Sequence, residues 1–422
     1  FGTALLIAVP TSWINRRTLS FRPLVFIGRI SYSWYLWHWP MLSFLRIIYG
    51  DAPPGPIAVA AIAVSFVLAI VSYYAIEQPF RRSSRAAVPL LARYAVATAL
   101  AVAVSAALWH THGAPQRFPA LAQIESQAAR LKSDPCIADI GDDGPNVSTA
   151  CIQKPAPPQV AQVALWGDSH AAALAPAART LAASQGYGFA EFAKASCPPI
   201  LGAAQFLPHH PSLAANCLAY NRRVFDRLLH DSRVSVVIFT ASWAGYLHRD
   251  WQHGWLVTDP ARASTMPSDQ TVRLTLAYSI SGTVRTLRAA GKQVYVFEDI
   301  PAFDFEPMWR LDSSSIPARR SLASALNISN AADTGMAAPG DVEMAGAASA
   351  LLEQALASQP SITLINLRSA FCSAGALCPY RIGDQLLYAD NNHLSPAGAR
   401  YALREFHLPP ASTVIAEREP AP

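Results

Sequence analysis

The chain has 422 residues, 52% hydrophobic and only 14% charged, with 33 prolines and a formal net charge of +5. A soluble domain carries about 25% charged residues and a disordered chain is poor in apolar residues, so neither class fits. The charge is uneven: residues 1 to 110 hold nine Arg, no Lys and two acids (Asp51, Glu77), a net of +7, leaving 24 basic and 26 acidic residues, a net of −2, beyond. No basic run with aromatic interleaving occurs, so no nucleic-acid partner is expected.

The first quarter reads as membrane helices. Phe1 to Ile14 is apolar but short, and is read as the tail of a further helix. Ile30 to Tyr49 is dense in Tyr and Trp and contains His38, Pro40 and Arg46. Ile57 to Ile76 is a continuous uncharged run, long enough to cross about 30 Å of hydrocarbon as a helix. Val88 to Trp109 carries Arg93 near its start and no charge after it. Three to four transmembrane helices in a lipid bilayer are therefore expected within residues 1–110. Arg16, Arg17, Arg22 and Arg29 precede the aromatic segment, and Arg81, Arg82, Arg85 and Arg93 lie between the last two. The positive-inside rule puts both clusters in the cytoplasm and everything after about His110 on the other side.

All six cysteines (Cys136, Cys151, Cys197, Cys217, Cys372, Cys378) fall in that exported part, as an oxidising compartment allows. Fifteen pairings are possible; neighbours in sequence are the expected ones. No CxxC spacing occurs and no metal is expected. Residues 111–160 are rich in Pro, Gly, Asp and Ser and read as a linker.

Residues 161–422 alternate short β-rich runs with helical stretches. The runs are Val160 to Trp166, Tyr187 to Phe192, Val234 to Thr240, Gln293 to Glu298 and Ile362 to Leu367. Helices are expected near His170 to Gln185, Ser212 to His230, Asp269 to Ala290 and Val342 to Ser358, with long loops at Leu247 to Thr265 and Phe303 to Gly340. This order predicts an α/β three-layer domain with a parallel sheet covered on both faces. Ligands in such sheets sit at the carboxyl ends of the strands.

Gly167-Asp168-Ser169-His170 follows the first strand. A glycine permits the sharp turn, and Ser169 falls at a helix N-terminus, where free N–H groups favour developing negative charge. Asp390 and His393 stand three apart on a loop before a helix starting near Pro396. Each feature alone is an ordinary helix cap or loop residue. Together they give a Ser, Asp, His order suited to a nucleophile, an orienter and a base.

LWGDSHAAAL and LYADNNHLSPAGA resemble the first and last blocks of the SGNH hydrolase superfamily, in the version fused behind a membrane acyltransferase. Ala195 to Pro199 and Thr240-Ala241-Ser242-Trp243 resemble that version too. Gly28 to Pro40 and Ile76 to Arg82 resemble the closing segments of the acyltransferase-3 family, whose fused members O-acetylate surface polysaccharides. The resemblance makes Ser169 the nucleophile, His393 the general base and acid, and Asp390 its orienter, with Asp168 and His170 serving turn geometry. It implies an O-acetyltransferase of a bacterial cell-surface polysaccharide such as lipopolysaccharide or an exopolysaccharide. The implied place is the bacterial inner membrane, multi-pass, with the SGNH-like domain in the periplasm or outside. No bound cofactor is implied; the acetyl donor is acetyl-CoA, used by a membrane part preceding this C-terminal portion.

Typical members place a Gly after the second strand and an Asn after the third to complete the oxyanion hole. Here Ser196 and Ser242 occupy those regions, so Ser169, Ser196 and Ser242 are the candidate donors. His38 and Glu77 are candidates in the membrane segment because ionisable groups are costly there; an ion pair with the nearby Arg residues is the plainer role for Glu77, and an interhelical hydrogen bond for His38. Two alternatives remain open: a membrane-tethered carbohydrate acetyl esterase and a non-catalytic glycan-binding domain. Trp243 is a sugar-site wall or core. Oligomeric state is not legible.

Overall fold

The computed structural model describes residues 13–49, 53–81, 87–128, 134–152, 161–325, 334–359, 362–372 and 377–411. The expected helix tail up to residue 12, Asp51, Arg82, Arg85 and the end of the linker at 153–160 lie outside the described residues. The chain divides into two compact units, Phe1–Arg117 with Trp309–Ala332, and Phe118–Met308 with Asp333–Pro422.

The first unit contains α1 (Arg22–Tyr49), α2 (Gly55–Ser72) and α3 (Ala87–His110), with α2 continuing through a π-helical turn at Tyr73–Glu77. Two stretches among the described residues, Gly55–Glu77 and Ala92–His110, are long and apolar enough to cross a membrane. The aromatic segment forms one 28-residue helix running through Pro40. Its Arg, Ser, Tyr and Trp content keeps it outside that pair, so among the described residues two helices qualify, and the expected three to four are not established. Polar bridges join α1 to α2. Trp34 Nε1 donates to Ser65 Oγ (3.0 Å), Trp37 Nε1 to Ser72 Oγ (2.8 Å) and Ser33 Oγ to Glu77 Oε2 (3.1 Å).

The second unit is an α/β domain with a parallel sheet. Its elements are β1 (Ile137–Ala138), β2 (Gln162–Gly167), α4 (Ser169–Ser184), β3 (Gly188–Lys194), α5 (Leu213–His230), β4 (Val234–Thr240), α6 (Asp269–Ala289), β5 (Gln293–Phe297), α7 (Val342–Leu356), β6 (Thr363–Ile365) and α8 (Pro396–Ala402). The six-stranded sheet runs β1-β3-β2-β4-β5-β6, and every pairing is parallel. Strands expected from continuous apolar runs lie within a residue or two of their predicted places, because burial on both faces removes the need for polar alternation. β2, β3 and β4 are buried along their whole length. The loop expected over Phe303 to Gly340 contains two helices, Pro307–Ser315 and Pro317–Ala325. Each begins on a proline, whose fixed φ suits the first helical position.

The strand order reverses at β2, with β3 on one side and β4 on the other. Gly167 is level with Ala193 and Thr240, so the three strands end together and their following residues share one edge. Ligands bind at such a switch point. The expected disulfides are present: Cys136–Cys151, Cys197–Cys217 and Cys372–Cys378. The first holds the segment before β2, which is also tied by Lys194 Nζ donating to the carbonyls of Asp139 and Ile140.

Candidate active site

The turn after β2 is over-determined. A Cβ on Gly167 would lie 1.8 Å from the Thr240 carbonyl oxygen, so only glycine lets β2 pass β4 this closely. Asp168 is buried and caps α4, accepting from the His170 N–H at 2.8 Å through Oδ1. Its Oδ2 accepts from the Ser242 N–H (2.9 Å) and the Tyr246 hydroxyl (2.7 Å). Asp168 therefore fixes the turn and joins the end of β2 to the segment after β4. Ser169 is the first residue of α4, where backbone N–H groups have no intrahelical acceptor.

The loop from Tyr388 to Leu394 closes on itself. Tyr388 bridges to Leu394, and the Ala389 N–H donates to the His393 carbonyl at 2.8 Å. Ser395 caps α8 through the Gly398 N–H, and a Cβ on Gly398 would lie 1.8 Å from the Leu387 carbonyl oxygen. Within this frame Asp390 Oδ1 accepts from the Asn392 and His393 N–H groups (2.9 and 2.6 Å). Asp390 Oδ2 lies 2.8 Å from His393 Nδ1, and His393 Nε2 lies 2.8 Å from Ser169 Oγ. The structure thus brings together Ser169, His393 and Asp390, which are 224 and 3 positions apart along the chain.

Charge follows from the surroundings. Burial alone would raise the Asp390 carboxyl, but the hydrogen bond and charge of His393 and the two loop N–H groups hold it below its ordinary value. Burial alone would lower His393, but the hydrogen bond and charge of Asp390 raise it, with Asp168 and Glu306 adding to that. His170 behaves in the opposite way: burial drives it down to about 4, so it is neutral at pH 7. Its ring packs 4.8 Å from that of His393.

The remaining candidates divide. Ser242 commits its N–H to Asp168, which leaves its hydroxyl as the group it can offer. Ser196 follows β3 with φ of 53°, a left-handed conformation uncommon for a residue with a Cβ. Trp243 is fully buried and donates to the Phe297 carbonyl at 2.7 Å, so it is core. In the first unit Glu77 pairs with Arg81 at 2.8 Å and accepts from Ser33, and His38 Nδ1 donates to the Trp34 carbonyl oxygen at 3.1 Å. Tyr246 and Glu306 were not legible as site residues. Neither belongs to a motif; the fold brings the Tyr246 hydroxyl to Asp168 and the charge of Glu306 near enough to raise His393.

O-acetyltransferase OatA of Staphylococcus aureus is 35% identical over 85 residues, which is 19% of this chain and 14% of that protein. The chain thus spans about one seventh of the length of the curated relatives it matches. The periplasmic domain of a lipopolysaccharide acetyltransferase from Salmonella ser. Paratyphi A superposes with a TM-score of 0.44 at 14% identity, over 68% of this chain and 94% of that one. A GDSL-like lipase from Bacteroides thetaiotaomicron gives 0.32 at 10% identity, over 64% and 95%. Residues 135–407 match the family model for SGNH domains fused to AT3 domains, and with well over half its length in that match the chain belongs to this family.

Proposed function

We propose that this chain is an O-acetyltransferase that passes an acetyl group to a hydroxyl of a bacterial cell-surface polysaccharide, such as a lipopolysaccharide O-antigen, through an acetyl-Ser169 intermediate. The observation that carries this reading is the unbroken hydrogen-bonded line from Ser169 Oγ through His393 to Asp390, at the switch point of the sheet.

His393 Nε2 takes the Ser169 hydroxyl proton as Oγ attacks the acetyl carbonyl, and returns it to the departing donor group. A sugar hydroxyl then gives its proton to His393 and attacks the acetyl-enzyme; the new ester leaves and Ser169 regains its proton. Asp390 holds the imidazole and stabilises its charged form. The Ser169 N–H at the start of α4 is one donor to the oxyanion, and the left-handed turn at Ser196 offers its N–H as a second. The acetyl group originates from acetyl-CoA, handled by the acyltransferase membrane part, with the α/β unit on the exported side. The three disulfides and the two apolar helices support that placement.

The test is release of the leaving group from an activated acetyl ester by the whole chain in detergent, with and without glycan. Acetylated glycan seen by mass spectrometry, lost in Ser169→Ala, is the expected result. Free acetate alone, unaffected by glycan, overturns transfer in favour of hydrolysis. Equal inertness of folded wild type and Ser169→Ala overturns the nucleophile.

A further inference from the structure

The loop after Tyr246 carries a second constellation that acetyl transfer does not use. His248, Asp250 and His253 bring two ring nitrogens and a carboxylate oxygen within 4.8 Å of one another. The imidazole rings lie 5.2 Å apart and tilted by 35°, and His253 Nδ1 is 2.8 Å from Asp250 Oδ2. Both histidines are exposed and Asp250 is half-buried, so a cation can reach all three from solvent.

Two nitrogens and one carboxylate form a donor set suited to a divalent transition ion, and three protein ligands leave a coordination position open. The loop is already shaped. Asp250 and Gly254 exchange backbone hydrogen bonds (3.2 and 2.8 Å), and Asp250 Oδ1 accepts from the Gln252 and His253 N–H groups at 2.7 Å. Gly254 has φ of 77°, and a Cβ there would lie 2.0 Å from the Phe206 carbonyl oxygen, so the turn is pressed onto the short strand Ala204–Phe206. Gln205 Nε2 adds a bond to the His253 carbonyl (2.8 Å). Arg249, which would compete for Asp250, is turned to Asp269 and the Pro267 carbonyl. Binding in a prefolded turn avoids the entropy of ordering the loop.

We propose that His248, Asp250 and His253 form a binding site for a divalent transition cation of the zinc class. The ion locks the 248–254 turn and keeps an open position toward solvent. Two residues upstream, Tyr246 bonds to Asp168 beside Ser169, so the site belongs to the same segment that supports the candidate active site. This inference does not depend on the acetyltransferase reading.

The test is titration of the untagged whole chain in detergent with Co²⁺, followed by its visible absorption, and then displacement by Zn²⁺. One equivalent is expected in the wild type and none in His248→Ala/His253→Ala, with Asp250→Asn weakened about tenfold or more. His248→Ala alone leaves the Asp250–His253 bond and the Gly254 turn in place, so its loss of the equivalent cannot be blamed on loop collapse. His209→Ala/His210→Ala, a neighbouring histidine pair outside the constellation, is expected to keep it. Equal Co²⁺ uptake by wild type and the 248/253 double variant, or loss in the 209/210 variant instead, overturns the proposal, as does no uptake at all. Zn²⁺ is also expected to raise the unfolding midpoint of the wild type and not of the double variant.

Discussion

The molecule contains two Asp-x-x-His turns built alike. In Asp390–His393 and in Asp250–His253, one carboxylate oxygen accepts the N–H groups two and three residues on, and the other lies 2.8 Å from the imidazole Nδ1. The two carboxylates are similarly half-buried, but the His393 ring is far more enclosed than that of His253, and its free nitrogen meets Ser169 while the second turn meets His248. The local sequence thus sets the Asp–His geometry, and the third partner together with burial decides the chemistry. A hydroxyl against the first pair is the arrangement proposed above for a nucleophile, and a second imidazole against the second is the one proposed for a ligand set.

The largest break of that contrast comes from removing either the hydroxyl or the imidazole at the first turn. Ser169→Ala or His393→Ala is expected to reduce acetyl release from an activated ester by about 10⁴-fold or more. Asp390→Asn keeps the shape but favours the wrong tautomer, and about 10³ to 10⁴ is expected to be lost in kcat. If Asp390→Asn retains wild-type kcat, the orienting role assigned to it is wrong.

The pH profile sharpens the same contrast. His393 must be neutral to accept the Ser169 proton, and Asp390 raises its pKa above the ordinary 6.5. Activity is therefore expected to rise with pH through a midpoint above that value and to fall on acidification. Asp390, held below its ordinary range, stays ionised throughout that window. In Asp390→Asn the charge that raises His393 is gone, so the residual activity is expected to rise at lower pH than in the wild type. An unshifted midpoint would show that another group governs the profile.

Much of the fold is legible in the amino-acid sequence. The parallel sheet was readable because strands buried on both faces are continuous apolar runs, and Ser169 because a glycine turn followed by an Ala-rich helix is a local pattern. Asp390 and His393 were readable because three residues suffice to build their turn. Partners brought in by tertiary packing were hidden. Tyr246 reaches Asp168 across 78 positions, and the commitment of the Ser242 N–H to the same carboxylate removes a donor that looked available. The proximity of His248, Asp250 and His253 matches no sequence motif and depends on the turn closed by Asp250 and Gly254. Among the described residues, two helices are apolar and long enough to cross a membrane, and the aromatic density of α1 is a weaker signal than their uncharged runs.

Backbone crowding offers a smaller effect, again one per turn. Gly167→Ala places a methyl 1.8 Å from the Thr240 carbonyl oxygen, and Gly254→Ala places one 2.0 Å from that of Phe206. Each is expected to cost about 1–3 kcal/mol or more in denaturant unfolding. The Gly167 variant should lose ester cleavage as well, while the Gly254 variant should lose Co²⁺ uptake. Loss of both readouts in both variants would mean that the two turns are not separate devices.

The smallest effect concerns a carboxyl whose surroundings reverse those of Asp250. Half-buried Asp250 is held down to about 2, chiefly by its hydrogen bond to His253, whereas Glu191 on β3 is pushed up to about 8 by burial. Asp134 adds to the rise, and Arg179, 3.0 Å away, opposes it without prevailing. At pH 7 folding therefore holds a proton on Glu191 that the unfolded chain releases. Stability from this group is full below the ordinary value of 4.5 and declines as pH rises toward about 8. Glu191→Gln cannot ionise, so it is expected to melt below the wild type in acid, where it has only lost a partner for Arg179, and to close that gap by about 2–4 °C as pH rises to 8. The unfolding midpoint of the α/β unit, read by tryptophan fluorescence across that range, measures the gap. A constant gap would mean that Glu191 is ionised throughout and that Arg179 outweighs burial after all.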